Sequence, residues 1–165
     1  MRRPTRIEPG PGQESVWDYP RPPDLRACPA RVRVVHRGVV VADTVEAVRV
    51  CETSHAPAYY LPRRDITPGA LRPSPGRSVC EWKGVAVYWA VTAGDEVVEQ
   101  AAWSYEDPVD AFSAIRGHVA FYAQRVEECW VGDERVSPNG GDFYGGWITS
   151  AVVGPFKGDP GTQWW

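Results

Sequence analysis

The run Val85–Val91 leaves this chain the fewest folding choices. Val85, Val87, Trp89 and Val91 lie on one side of an extended backbone, and Ala86, Tyr88 and Ala90 on the other. That period of two is the mark of a β-strand. Ala93-Gly94-Asp95 then turns the chain, and Val97–Tyr105 returns as a partner on which Ala101, Trp103 and Tyr105 share a face. A second hairpin is read from Val32 and Val34, a turn at His36-Arg37-Gly38, and the run Val39–Ala42. Ala47–Glu52 alternates Val48 and Val50 against Arg49 and Cys51. Ala58–Leu61 is a short strand between Pro57 and Pro62, which confine it to a sheet edge or a strand end. His118–Tyr122 and Val126–Val131 complete the strands.

One helix is predicted near Pro108–Arg116. Asp107 stands as its N-cap, Pro108 at its first position and Asp110 in its first turn. Ala111, Phe112 and Ile115 supply the apolar stripe, and Gly117 the stop. Thr67–Ser78, with Pro68, Gly69, Pro73, Pro75 and Gly76, reads as a loop. Residues 1–30 read as an extended, polyproline-like arm that docks through Trp17 and Tyr19. Residues 137–165 form a turn-rich, aromatic tail of the same single domain, the body being 31–136. Strands dominate, so the class is mainly β.

Composition removes several functional classes. Eighteen basic and 21 acidic residues leave a net charge of −3, without the basic footprint of a nucleic-acid binder. The cluster Arg63, Arg64, Arg72 and Arg77 is either an anion site or, more plainly, solvated loop charge. Cys28, Cys51, Cys80 and Cys129 never stand as Cys-x-x-Cys, so neither structural zinc nor a disulfide is expected. No apolar run approaches the ~18 residues of a membrane span, and no secretory leader is read at Met1-Arg2-Arg3. A soluble cytoplasmic protein with free thiols is the expectation, with no cofactor.

The chemistry gathers in two stretches. Cys51–Ile66 carries Glu52, Thr53, Ser54, His55, Tyr59 and Tyr60, and Cys80–Trp89 carries Cys80, Trp82, Lys83, Tyr88 and Trp89. Glu52 can orient His55 as a base or ligand donor. The plainer reading has Thr53 and Ser54 bonding to local backbone and Glu52 pairing with an arginine. Cys80 with His55 would make a nucleophile–base pair that Lys83 could activate, whereas most free cysteines are simply buried. Tyr59, Tyr60, Trp82, Tyr88, Trp89, Trp103 and Tyr105 suit either a pocket wall or a core. Alternation divides them, because neither Tyr59 and Tyr60 nor Tyr88 and Trp89 can share a face. The glycines of Asn139-Gly140-Gly141-Asp142 and Gly145-Gly146 read as turns, since no helix follows to complete a phosphate loop.

Glu52-Thr53-Ser54-His55, Tyr59-Tyr60, Asp65, Cys80-Glu81-Trp82-Lys83-Gly84, Ala86, Tyr88-Trp89, Trp103-Ser104-Tyr105, Pro108 and Phe121-Tyr122 recur in order. In this the chain resembles the bacterial family called domain of unknown function 427, over about residues 31–136. Glu81-Trp82 stands where other members often carry Pro-Tyr. The resemblance implies a β-tent, or Mss4-like, fold: two small antiparallel sheets meeting over a shared cleft. Relatives of that fold often hold zinc through paired Cys-x-x-Cys motifs, which this chain lacks. A nucleotidyltransferase label sometimes attached to the family finds no acid-x-acid pair here to hold magnesium. The leading expectation is a small-molecule binding domain. Its polar-aromatic cleft would be built by Glu52, Ser54, His55, Tyr60, Lys83 and one of Trp89 or Trp103. The alternatives are an enzyme, a hydrolase or transferase using Glu52, His55, Cys80 and Lys83, and a protein-interaction module using the arm and tail.

Overall fold

In a computed structural model, which describes residues 3–165, each of the two hairpins lies in one of two antiparallel sheets. The chain runs β1 (Glu14–Ser15), β2 (Asp24–Cys28), β3 (Val32–His36), β4 (Val39–Thr44), β5 (Ala47–Cys51) and β6 (Ala58–Pro62). It continues through β7 (Leu71–Cys80), β8 (Gly84–Ala93), β9 (Glu96–Ser104), β10 (His118–Phe121), β11 (Glu128–Val131) and β12 (Glu134–Arg135). The tail adds β13 (Ser137–Pro138), β14 (Trp147–Ile148) and β15 (Val152–Val153). The large sheet has seven strands in the order β2-β5-β6-β10-β9-β8-β7, and the small sheet four, β12-β11-β3-β4. The larger is therefore not the small sheet that the family resemblance implies.

The β3–β4 turn is Arg37-Gly38, with φ of 51° and 73°. Two successive positive φ values make the two-residue turn whose twist suits a hairpin. The β8–β9 strands close with Ala93 opposite Glu96, around Gly94 at φ 58°. Strand β9 bulges at Gln100, whose φ is 50°. In consequence Ala101 does not share a face with Trp103 and Tyr105, as simple alternation predicts. It joins Ala102 in the core between the sheets.

That core holds Val32, Val34 and Val41 from the small sheet against Tyr59, Leu61, Val91, Val119 and Phe121 from the large one. Trp147 from the tail completes it, stacked on Tyr59 at a centroid distance of 4.9 Å and donating its indole N–H to the Phe121 carbonyl at 2.9 Å. The opposite face of the large sheet carries Tyr60, Ala86, Trp103, Tyr105 and Ala120, with Tyr122 just past β10. The residues that alternation separates are separated here: Tyr59 turns to the inter-sheet core and Tyr60 to the other face.

Three expectations are corrected. The segment read as a loop over Thr67–Ser78 contains most of β7, with Pro73 and Pro75 inside it. This works because β7 is the edge strand, where a proline's missing N–H need not face a partner. The helix near Pro108–Arg116 is a 3-10 segment, Asp110–Ile115, broken at Phe112. Its N-cap is Val109, not Asp107, and the segment serves to lay Phe112 and Ile115 on the sheet. The arm is not polyproline throughout, since β2 pairs with β5 from Asp24↔Cys51 to Cys28↔Ala47. Upstream, β1 pairs in parallel with β15, and Trp17 donates its indole N–H to the Pro155 carbonyl at 2.9 Å. Val16, Tyr19, Cys51 and Val152 form a small core of their own there. No helix among the described residues is long and apolar enough to cross a membrane.

Candidate functional site

On its outer face the large sheet is left partly uncovered, and a cleft of about 310 Å³ opens there. Its floor is Tyr60 from β6, Tyr88 from β8 and Trp103 from β9, with Tyr105 and Tyr122 beside them. One wall is the turn Cys80–Lys83 between β7 and β8, and the other is the segment after β5 with Glu52 and His55. Tail residues Asn139, Phe143, Tyr144, Gly145, Gly146 and Lys157 close the rim. The cleft thus lies outside the pair of sheets and not between them, where the tent comparison puts it. The space between is filled by the apolar core.

Of the predicted residues, Glu52, His55, Tyr60, Cys80, Lys83 and Trp103 line this cleft. Trp89 does not. It packs toward the inter-sheet core, donates its indole N–H to Ser104 Oγ at 2.9 Å and lies under Arg63 at 4.8 Å. Ser54 does not either: it is 0% exposed, with φ 70°. Its N–H donates to the Val16 carbonyl, its own carbonyl accepts from Lys157 N–H, and its Oγ accepts from Arg21. Ser54 is a joint tying arm and tail to the segment after β5 that carries Glu52. A left-handed backbone at a non-glycine residue costs on the order of 1 kcal/mol, which these contacts offset.

Glu52 meets both readings made of it. Its Oε2 accepts from Arg21 Nε at 3.2 Å and lies 3.6 Å from His55 Nδ1. His55 Nδ1 lies 2.8 Å from the Thr53 carbonyl, and the ring packs edge-on to Tyr144 at 5.1 Å. Burial pushes the imidazole below its ordinary pKa, against the pull of Glu52. The neutral ring must then donate from Nδ1 to that carbonyl, which leaves Nε2 as an acceptor at the cleft wall.

Tyr60 is 1% exposed, and its oxygen accepts from Trp103 Nε1 at 3.1 Å. Among the described residues its own proton has no acceptor. Burial raises its pKa, and that of Tyr105, so both stay neutral phenols. Cys80 sits by the Tyr105 hydroxyl, not by His55, whose ring contacts are Thr53, Glu52 and Tyr144. The nucleophile–base pair is therefore not assembled.

Lys83 is the outlier. The residue is 9% exposed, and its ammonium lies 5.6 Å from the centre of the Tyr105 ring and 6.0 Å from that of Phe112. Among the described residues it makes neither an ion pair nor a side-chain hydrogen bond. The turn that holds it is fixed by Val109 N–H donating to the Lys83 carbonyl at 3.0 Å. By contrast, three members of the arginine cluster have partners: Arg63 with Glu106, Arg64 with Glu46 and Arg72 with Glu99.

The tail's contribution was missed in the sequence. Asn139 Nδ2 donates to the Lys157 carbonyl at 2.8 Å, while its Oδ1 is buried with no donor. Lys157 Nζ lies 5.4 Å from the centre of the Tyr144 ring. A Cβ on Gly145 would come within 2.3 Å of the Trp103 ring, and one on Gly146 within 2.2 Å of the Ala56 carbonyl oxygen. These two glycines let the tail cross directly over the cleft floor. Two glycines set between Tyr144 and Trp147 were the available signal. All four cysteines are free thiols, and no group of three or more His, Cys, Asp or Glu side chains among the described residues is placed to hold a metal.

Fold and cleft together define a mainly β domain with a ring-floored pocket on the outer face of its larger sheet. A family model named NTP_transf_9, described as Domain of unknown function (DUF427), matches residues 24–132. The chain belongs to that family. No curated protein matches it. The match takes in β2 and ends before the tail, so Arg21 and the rim from Asn139 to Lys157 lie outside it.

Proposed function

We propose that this chain is a small-molecule binding domain and that its ligand occupies the polar-aromatic cleft. One observation carries the reading. Around a single open space stand a largely buried lysine with no ion pair or hydrogen bond among the described residues, a buried phenol with a spare proton and an imidazole with a spare lone pair. Polar groups with unused bonding capacity, gathered at one open volume, are best explained by a guest that bonds them. The β-tent comparison belongs to this reading: two antiparallel sheets share one core, and the cleft uses the outer face of the larger. The free cysteines support a reducing, cytoplasmic setting.

The catalytic alternative would need Cys80 and His55 in contact, and their contacts differ. We assign no reaction. Native mass spectrometry of gently purified protein tests the binding reading. A small adduct lost on denaturation is expected, as is a rise in melting temperature when that compound is added back. Protein that carries no adduct, and whose melting point no fraction of a small-molecule extract raises, would overturn it.

A further inference from the structure

We infer that the cleft's ligand is a small flat ring bearing an anionic group, a carboxylate or a phosphate, held by Lys83 with the Tyr60 hydroxyl as second donor. The inference rests on the binding reading above and adds the ligand's chemistry. An aromatic floor by itself would suit a cation equally well. Here the protein's own cations already occupy that role. Lys83 lies by Tyr105 at 5.6 Å, Lys157 by Tyr144 at 5.4 Å and Arg125 by Tyr122 at 4.1 Å. A cationic guest would meet positive charge at both ends of the cleft.

The carboxylates do not reverse this. Glu52 is bonded to Arg21 at 3.2 Å. Glu81, the other acid in the lining, is exposed at the mouth. Among the described residues the charges left without a carboxylate partner are therefore those of Lys83, a largely buried residue, and of Lys157, whose Nζ bonds the Trp165 carbonyl at 3.3 Å. Tyr60 and Lys83 line the same cleft and both lie near Tyr105: the ring centres of Tyr60 and Tyr105 are 6.4 Å apart, and Lys83 Nζ is 5.6 Å from the latter. An anion between them would take charge-assisted bonds from both. Trp103, Tyr88 and Tyr122 offer the flat apolar surface on which a ring would lie.

One ring with four headgroups tests this by isothermal titration calorimetry: 2-naphthoate, 2-naphthyl phosphate, 2-naphthalenemethanol and 2-naphthylmethylammonium. At least one anion should bind about tenfold or more tighter than the alcohol, with the ammonium weakest, as a charge-assisted contact predicts. Whichever anion leads identifies the headgroup. Lys83→Gln should reduce that anion to the level of the alcohol, and Lys83→Arg should keep the preference. Should Lys83→Gln fail to fold, the wild-type ranking and the Lys83→Arg variant still decide. Anions within about threefold of the alcohol, or a preference that survives in Lys83→Gln, would overturn the proposal. If the alcohol or ammonium binds best, the anion assignment fails while the binding reading stands. If none of the four binds, the anion assignment also fails, and the adduct experiment judges the binding reading separately.

Discussion

The two faces of the large sheet are built from alternate residues of the same strands, yet they do opposite things. Tyr59 and Tyr60 are neighbours in the chain. Tyr59 stacks on Trp147 in a core closed by the small sheet, and Tyr60 looks into an open cleft. Both faces are aromatic, so hydrophobicity does not distinguish them. What differs is the state of the polar atoms. On the closed face the Trp147 indole is satisfied by the Phe121 carbonyl. On the open face Lys83, the Tyr60 proton and Asn139 Oδ1 have no hydrogen-bond partner among the described residues. Incomplete bonding beside an open volume is the better mark of a site than ring content.

The largest expected effect breaks the closed face. Trp147→Ala removes a fully buried stacked ring and its hydrogen bond, and should cost about 3–5 kcal/mol in denaturant unfolding. A loss under about 1 kcal/mol would show that this face is not the stability core. Next, Gly146→Ala tests the seam where tail meets cleft. The added methyl has no room against the Ala56 carbonyl, and overpacking of this kind costs about 1–3 kcal/mol. An unchanged melting point would show that the tail is not tightly seated.

On the open face the sign should reverse. Lys83→Met replaces an ammonium that has no ion pair or hydrogen bond among the described residues, on a side chain that is largely buried, by an apolar chain of similar length. It should raise stability by about 0.5–2 kcal/mol while weakening ligand binding, the usual trade at a functional site. A destabilised Lys83→Met would mean that the ammonium contributes to the fold. The smallest effect sharpens the comparison through pH. His55 has a folded pKa held below its unfolded value of 6.5. The unfolded chain therefore takes up a proton first as pH falls. The stability contributed by the neutral imidazole is fully present above that value and declines below it, until the folded pKa is reached. Chemical unfolding at pH 7.5 and pH 5.5 should show this, and His55→Gln should flatten the dependence. An equal slope in both proteins would remove His55 as its source.

Much of this was legible in the sequence, for physical reasons that can be named. Strand alternation divided Tyr59 from Tyr60 and Tyr88 from Trp89, because a period of two leaves no freedom. The turn read at His36-Arg37-Gly38 was legible because Gly38 between two apolar runs marks a hairpin turn. Strand β7 was hidden by Pro73 and Pro75, since a sequence does not reveal which strand will be the edge. The face of Ala101 was misread because the bulge at Gln100 has no marker residue. Glu52, His55, Tyr60 and Lys83, singled out by residue type and family pattern, line the cleft. Ser54 and Trp89 belong to the scaffold instead, and Arg21, Asn139, Tyr144 and Lys157 were missed. Asn139, Tyr144 and Lys157 reach the cleft, and Arg21 reaches Glu52, by long-range folding of tail and arm, which local periodicity cannot register.

The parallel pairing of β1 with β15 carries a consequence for the order of assembly. Trp17 and Pro155, joined by a hydrogen bond, are 138 positions apart, so their loop closes at nearly the greatest entropic cost the chain offers. The hairpins β3–β4 and β8–β9 close over a few residues and need wait for nothing. During synthesis both signature stretches would leave the ribosome, and much of the large sheet could pair, well before Asn139–Lys157 emerge. The sheet would then carry the cleft floor with no rim above it. A candidate site whose rim is made after its floor would become competent only once that later segment has emerged, so a chain still short of it would lack the means to hold a ligand.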